Sequence, residues 1–191
     1  VTSYTENKGM ISMELPIQNL LEKNEEYLLV IQLESGDRMI YYYTRIIESQ
    51  NSYVSECIDF VKQFNDTTFD SEKASSLSTY MEKTTGDNTT LQYVTLNNSL
   101  NQVSWAEFHG TRLTTPVPSV KEITSTYNVI VQDYVVTRVG QNGQSEYYNV
   151  EEYYRVRYTN TRMYLLNFER TMEEIFRGEN DSISGNDILL G

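Results

Sequence analysis

The C-terminal half of the chain contains three long segments in which β-branched and aromatic residues dominate. They cover Ser119–Arg138, Glu146–Tyr158 and Arg162–Glu169. Residues of these types favour strands, and a short polar turn follows each of the first two segments. The first turn, Gly140–Gly143, contains an Asn-Gly pair suited to the positive φ angles of a tight hairpin, and the second is Thr159–Thr161. The pattern predicts an antiparallel meander.

Alternate residues of the second segment fall on opposite faces of the predicted strand. The better candidates for the core face are Tyr148, Val150, Tyr154, Val156 and Tyr158. The opposite face carries Tyr147, Tyr153, Arg155 and Arg157. Tyrosine and arginine are enriched at the hot spots of protein interfaces, so this second set is a candidate partner surface. The competing interpretation is that tyrosine rings and arginine stems simply cover an open sheet face.

Upstream of the meander, apolar residues recur at helical spacing and no longer alternate with polar ones. In Asn51–Phe64 the apolar positions recur on one helical face. This face includes the only cysteine, Cys57, which we expect to be buried. The polar residues Asn65–Thr68 are expected to end the helix. Asp70 can then cap a second helix over Ser71–Lys83.

The remaining segments of this part have less regular patterns. Leu91–Leu100 fits a short helix and an irregular strand equally well, and Val103–Leu113 is predicted to be a strand. A short helix is predicted after Phe168, reaching Phe176. Residues 178–191 are rich in Asn, Ser, Asp and Gly, which is typical of a flexible tail.

The first 48 residues are predicted to be an extension built from strands. Met10–Leu15 alternates like an edge strand, which Pro16 would end. Glu26–Leu33 and Arg38–Ile47 are predicted to pair as a hairpin around Gly36. Because a two-stranded hairpin is marginal on its own, we expect this one to pack on the main domain.

Composition narrows the range of partners. The chain has 15 Lys and Arg residues against 27 Asp and Glu residues, a formal net charge of −12, and this charge repels nucleic acid. A single cysteine excludes an internal disulfide and a cysteine zinc site, and no cofactor or metal is expected. No apolar run approaches the roughly 20 residues of a membrane-spanning helix. Because the chain begins at Val1, we expect a processed protein or a fragment, attached to a membrane only through an upstream anchor.

Helices followed by strands indicate an α+β fold, with the helices packed on one face of a curved antiparallel sheet. This element order and the long strands resemble the NTF2-like superfamily, with its cystatin-like layout, over residues 49–177. The resemblance implies one main domain over that range. Residues 1–48 would be an N-terminal addition, and residues 178–191 would be the tail.

Within that superfamily, the chain is similar to the extracytoplasmic domains of VirB8-type conjugation proteins of Gram-positive bacteria. The shared features are the polar, cysteine-poor composition, the missing N-terminus and the closing sequence YYRVRYTNTRMYLLNFE. The resemblance implies an extracytoplasmic, membrane-anchored scaffold at the bacterial cell surface. Such a scaffold contacts itself and other proteins of a secretion or conjugation machine, without catalysis.

The alternative is an NTF2-like pocket protein that binds or transforms a small ligand. His109, the only histidine, would then be a general base, and Asp133, which interrupts an apolar strand, would assist it. A lone histidine carries no spacing information, and Asp133 equally fits the outward face of a strand. No nucleophile elbow and no phosphate-binding loop accompanies them. We therefore expect a non-catalytic binding module, although the fold alone does not decide.

Overall fold

The chain is described by a computed structural model that covers residues 3–7, 10–17, 21–49, 52–82, 90–106, 108–140, 143–176, 183–184 and 187–188. It divides into two compact units, Val1–Asn51 and Ser52–Gly191. Among the described residues, the first unit contains strands and the second contains both helices and strands.

The first unit consists of two antiparallel hairpins. Strands β1 (Ser3–Asn7) and β2 (Met10–Glu14) form one, and β3 (Glu26–Ser35) and β4 (Arg38–Ile47) form the other. The predicted hairpin is confirmed, with Gly36 at a φ of 60° in its turn. The predicted edge strand is confirmed as β2, which ends before Pro16.

Large apolar side chains lie on both faces of the β3–β4 hairpin. Leu28 and Tyr43 are each 67% exposed and Tyr42 is 56% exposed. An ion pair between Arg45 and Glu26, at 3.1 Å, joins the strands at the open end of the hairpin. The stretches between its charged ends, 27–33 and 39–44, contain no charged residue.

The second unit begins with helix α1, Val54–Thr68. The helix was predicted, but its end was placed wrongly, because Asn65–Thr68 continue it. The Thr68 hydroxyl donates to the Asn65 carbonyl at 2.7 Å, and the Asn65 side chain is buried in a polar network beneath the sheet. Cys57 is fully buried, as predicted.

The second predicted helix, Ser71–Lys83, is largely wrong. The Asp70 carboxylate does accept hydrogen bonds from two backbone N–H groups of the next turn, at 3.1 and 3.2 Å. Beyond this turn the chain forms only a short 3₁₀ helix, Ala74–Thr79. The hydroxyl groups of Ser76 and Ser78 donate to carbonyl oxygens three residues earlier. Such side-chain bonds compete with α-helical ones.

A six-stranded antiparallel sheet completes the unit, with the order β5–β10–β9–β8–β6 and β7 also paired to β8. The strands are β5 (Tyr93–Thr95), β6 (Thr111–Arg112), β7 (Ser119–Ile123), β8 (Asn128–Val139), β9 (Ser145–Tyr158) and β10 (Met163–Glu174). The second unit is therefore a mixed helix-and-strand domain on an antiparallel sheet, as predicted at that level. In the predicted tail, Ile183–Ser184 pairs with Asp187–Ile188, and the rest of the tail lies outside the described residues.

The meander is confirmed with two corrections. Ser119–Arg138 is not one strand but the hairpin β7–β8, because Thr124 and Tyr127 close a turn through backbone and hydroxyl hydrogen bonds. The helix predicted after Phe168 is not formed at residues 169–176, since β10 stays paired with β9 up to Glu174. Asn160, in the second predicted turn, has a φ of 52°. In the first turn, two of the four residues lie outside the described part of the chain.

Val103–Leu113 is not the predicted strand. Ser99 and Gln102 form a capping box that starts helix α2, Leu100–Val103, so the undecided segment before it holds β5 and then this cap. Trp105 and His109 both have positive φ angles. A Cβ on Gly110 would lie 2.3 Å from the Phe108 ring and 2.5 Å from the Thr137 carbonyl oxygen, so only glycine fits where the chain enters β6.

The core lies between the helices and one face of the sheet, which we call the inner face. One cluster gathers around α1 and includes Val61, Phe64, Ile130, Tyr154 and Phe168. A second cluster includes Trp105, Phe108, Tyr134, Val136, Tyr148, Val150 and Met172. Trp105 and Phe108 thus pack in the same cluster, because a turn and not the predicted strand carries them.

Candidate functional site

A row of three polar side chains crosses the inner face. Gln132 on β8 is aligned with Glu152 on β9, which is aligned with Arg170 on β10. All three residues are 0% exposed. Buried charges are rare in proteins unless they are paired or hydrogen-bonded, so this row is a candidate site.

The Glu152 carboxylate is fully engaged by neighbouring donors. Its Oε1 accepts a hydrogen bond from the Tyr134 hydroxyl at 2.9 Å. Its Oε2 accepts from Asn65 Nδ2 at 2.8 Å, from Gln132 Nε2 at 2.8 Å and from the Tyr154 hydroxyl at 2.6 Å. Burial, with the nearby carboxylate, raises the pKa of Tyr134 and of Tyr154 well above the usual value. Both hydroxyls therefore stay protonated and donate.

The Arg170 side chain contacts two backbone carbonyl oxygens and an aromatic ring. Its guanidinium donates to the carbonyl oxygens of Gln102 and Val103 at the end of α2, and it lies 3.7 Å from the centroid of the Trp105 ring. Burial lowers the pKa of Arg170, while the negative charge of Glu152 acts in the opposite direction. This arginine ties β10 to α2.

The row supports the fold and presents nothing to solvent. Each of its members is surrounded by protein groups, so a ligand would have to open the core to reach it. The sequence contained one signal of it, since Glu152 falls on the core face of β9 by the alternation that picked out Val150 and Tyr154. Arg170 gave no comparable signal, because β10 was predicted to end before it.

The predicted partner residues lie on the opposite side of the sheet, which we call the outer face. Tyr147 and Tyr153 are partly buried there, and Arg155 and Arg157 are exposed. The predicted assignment of β9 residues to two faces is confirmed. Their use as a partner surface remains a prediction.

Cation–π contacts hold Arg155, Arg157 and the nearby Arg162 against aromatic rings. The Arg155 guanidinium lies 5.1 Å from the centroid of the Tyr127 ring. Those of Arg157 and Arg162 lie 4.8 and 5.0 Å from the centroid of the Tyr164 ring. A hydrogen bond with Tyr153 raises the pKa of Arg155. The arginines are thus positioned by aromatic neighbours while their charges stay exposed.

Near the other end of β9, the outer face forms an open cleft of about 570 Å³. Its lining includes the carboxylates of Asp133, Glu151 and Glu173. Asp133 and Glu151 are aligned neighbours on β8 and β9. His109 is exposed and does not line this cleft. The cleft therefore joins Asp133 with other carboxylates and not with the histidine proposed as its partner.

Neither a metal site nor a membrane-spanning helix is found among the described residues. Over the described ranges, no group of three or more His, Cys, Asp or Glu side chains is arranged to hold a metal ion. In the part of the chain that the structure covers, every helix is too short or too polar to cross a bilayer.

Comparison with known proteins identifies no relative of the chain. Nothing matches among protein-family models, curated proteins or solved structures. Function has to be argued from the geometry of the chain itself.

Proposed function

We propose that the chain is a non-catalytic binding or assembly module that makes contact through the outer face of its sheet. The observation that carries the proposal is the outward-facing Tyr/Arg set of β9, in which the exposed Arg155 and Arg157 form no ion pair with any described residue. Arginine and tyrosine at a well-packed centre are the residue types that dominate binding energy. The buried Glu152 carboxylate and Arg170 guanidinium, by contrast, are held by protein groups.

The resemblance to NTF2-like and VirB8-type domains extends this proposal. By that analogy, the chain is an extracytoplasmic scaffold component of a bacterial secretion or conjugation machine, anchored through a segment upstream of this sequence. Its partners would be proteins, including copies of itself. The element order of the second unit supports the analogy, since helices precede a long antiparallel meander.

The test compares two pairs of substitutions in a transfer assay and in a pull-down. Replacing Tyr153 and Arg155 by Ala should weaken partner capture about thirtyfold or more, because truncating an anchor typically costs about 2 kcal/mol. Replacing His109 by Ala and Asp133 by Asn should leave capture unchanged. Melting temperature serves as the folding control for both variants.

The second candidate is a small-ligand protein, and the outer cleft is the observation that favours it. Asp133, Glu151 and Glu173 around about 570 Å³ would suit a small cationic ligand. If the His109/Asp133 variant alone abolishes function while it remains folded, this candidate replaces the assembly proposal.

A further inference from the structure

The outer face carries opposite charges on the two sides of Tyr153. On β9, Glu151 precedes this tyrosine by two residues and Arg155 follows it by two, so all three side chains leave the same face. At about 3.3 Å per residue, the backbone positions of Glu151 and Arg155 are roughly 13 Å apart. The two charges are therefore separated, and they are placed symmetrically about Tyr153.

Neighbouring strands enlarge both regions. The acidic patch consists of Glu151 and Glu173. The basic patch consists of Arg155, Arg157 and Arg162, with the last two over the ring of Tyr164. The first lies toward the start of β9 and the second toward its end.

No ion pair neutralises these charges within the described part of the chain. None of the five residues appears in an ion pair there, although the arginines contact aromatic rings. Two other carboxylates of this face are already engaged, since Glu122 accepts a hydrogen bond from the Tyr127 hydroxyl at 3.1 Å and Glu169 accepts one from the Asn167 amide at 2.9 Å. The two patches are therefore left for an external partner of complementary charge.

We infer that this partner is a second copy of the same chain, packed face to face about a twofold axis. The axis lies parallel to the sheet, runs perpendicular to β9 and passes over Tyr153. Rotation about it turns the strands of the second copy antiparallel to those of the first. Glu151 then faces Arg155 of the other copy, and Arg155 faces its Glu151, as in any isologous contact. The inference rests on the proposed function, because it names the partner of the same outer face.

The same rotation pairs a second acidic residue with the basic patch. Glu173 is aligned with Asn149 on β9, two residues beyond Glu151, and comes to lie opposite the row of Arg157 and Tyr164, which are aligned with each other. The centre of the contact is formed by Tyr153 and its two aligned neighbours, Val131 on β8 and Glu169 on β10, all partly buried. The Glu169 carboxylate, which accepts a hydrogen bond from the Asn167 amide, faces its own copy across the axis, so the attraction comes from the opposite charges on either side of it.

The alternative symmetric arrangement is unfavourable. An axis parallel to β9 would place Glu151 against Glu151 and Arg155 against Arg155 of the second copy, and like charges in contact cost several kcal/mol. Overall, each chain carries a net charge of −12, and this repulsion opposes association. At physiological ionic strength it is screened beyond about 8 Å, whereas the facing pairs are in contact.

Charge reversal tests the inference. Four proteins are compared by sedimentation velocity over a concentration series at physiological ionic strength: the original chain, Glu151→Arg, Arg155→Glu and the double variant. Each single reversal places like charges together twice in the dimer. We expect at least about a hundredfold weaker association for each single variant and recovery in the double variant. An equimolar mixture of the two single variants should form a mixed dimer, since every facing pair is then opposite in charge.

Matched controls are Asp59→Arg and Lys62→Glu, two exposed residues on α1. They make the same charge changes away from the outer face and should leave the dimer intact. Circular dichroism and melting temperature check folding in all variants. The inference is overturned if the original chain stays monomeric, if the single variants dimerise normally, or if the double variant and the mixture fail to recover. In that case, loss of partner capture by the Tyr153/Arg155 double alanine variant would leave the proposed function standing with a different protein partner.

Discussion

At the scale of single residues, Glu152 determines how the inner face is built. A carboxylate removed from water is tolerated only when its oxygens are hydrogen-bonded, and here four donors from α1, β8 and β9 supply those bonds. Removing the carboxylate would leave Asn65, Gln132, Tyr134 and Tyr154 without an acceptor. The energetic penalty thus falls on the donors as well as on the side chain that is replaced.

We therefore expect Glu152→Leu to lower the free energy of unfolding by about 3–5 kcal/mol. Glu152→Gln keeps the shape and one acceptor, so its cost should be smaller, about 1–2 kcal/mol. An exposed glutamate away from the outer face gives a control, and Glu72→Leu should change stability by no more than about 0.5 kcal/mol. Urea unfolding measures all three. Similar values for the two Leu variants would contradict the role of the network.

The buried tyrosines give a pH dependence. Burial raises the pKa of Tyr134, Tyr148 and Tyr154, and a hydrogen bond to Glu146 adds to the effect for Tyr148. Since the folded-state pKa values exceed the unfolded value of about 10, this stabilisation is complete below that pH. It is lost as the pH rises above it, because the unfolded chain releases protons that the folded chain retains.

In an alkaline titration followed by tyrosinate absorbance and circular dichroism, these three of the sixteen tyrosines should ionise only as the fold is lost. Ionisation of all sixteen in one step near pH 10, with native circular dichroism, would show that the three hydroxyls are not protected.

At the scale of elements, the β3–β4 hairpin is the part whose apolar residues need a covering surface. A pair of strands is marginal in water, and both faces of this pair carry exposed apolar side chains. The expectation from the sequence is that the hairpin packs on the second unit. That packing concerns the relation between the two units and remains a prediction.

Limited proteolysis of the full chain, followed by thermal melting of the product, tests it. If the hairpin covers the second unit, a fragment that has lost residues 1–48 should melt at a lower temperature than the intact chain. Release of residues 1–48 with an unchanged melting temperature would contradict the packing. Unfolding measured on the uncut chain in the same buffer provides the control.

At the scale of the whole molecule, the sequence predicted the elements whose pattern and pairing agree. The alternation of β9 identified both faces, because its inner face is apolar except at Glu152 and at Glu146 near its start. The existence of α1 and the burial of Cys57 followed from helical spacing, although the helix begins at Val54 and not at Asn51. The candidate outer-face residues were likewise placed correctly on one face, since alternation alone decides the direction of a strand side chain.

Elements decided by distant contacts could not be predicted in this way. Met172 and Phe176 have a helical spacing, yet pairing with β9 keeps the region before Ile175 in the sheet. Val103–Leu113 has a strand-like composition, yet helix α2 ends at Val103, positive φ angles at Trp105 and His109 turn the chain, and only Thr111–Arg112 joins the sheet. The buried row was missed because it depends on the alignment of three strands, which no local pattern contains.

The row Gln132–Glu152–Arg170 also has an evolutionary consequence. Because Glu152 satisfies donors on several elements, including Asn65, 87 positions away in the chain, these residues cannot drift independently. We expect a lineage that replaced Glu152 by an apolar residue to replace its donors as well, so that the group is inherited or lost as a set. This linked set is a fingerprint by which remote relatives of the chain can be sought when overall similarity has faded.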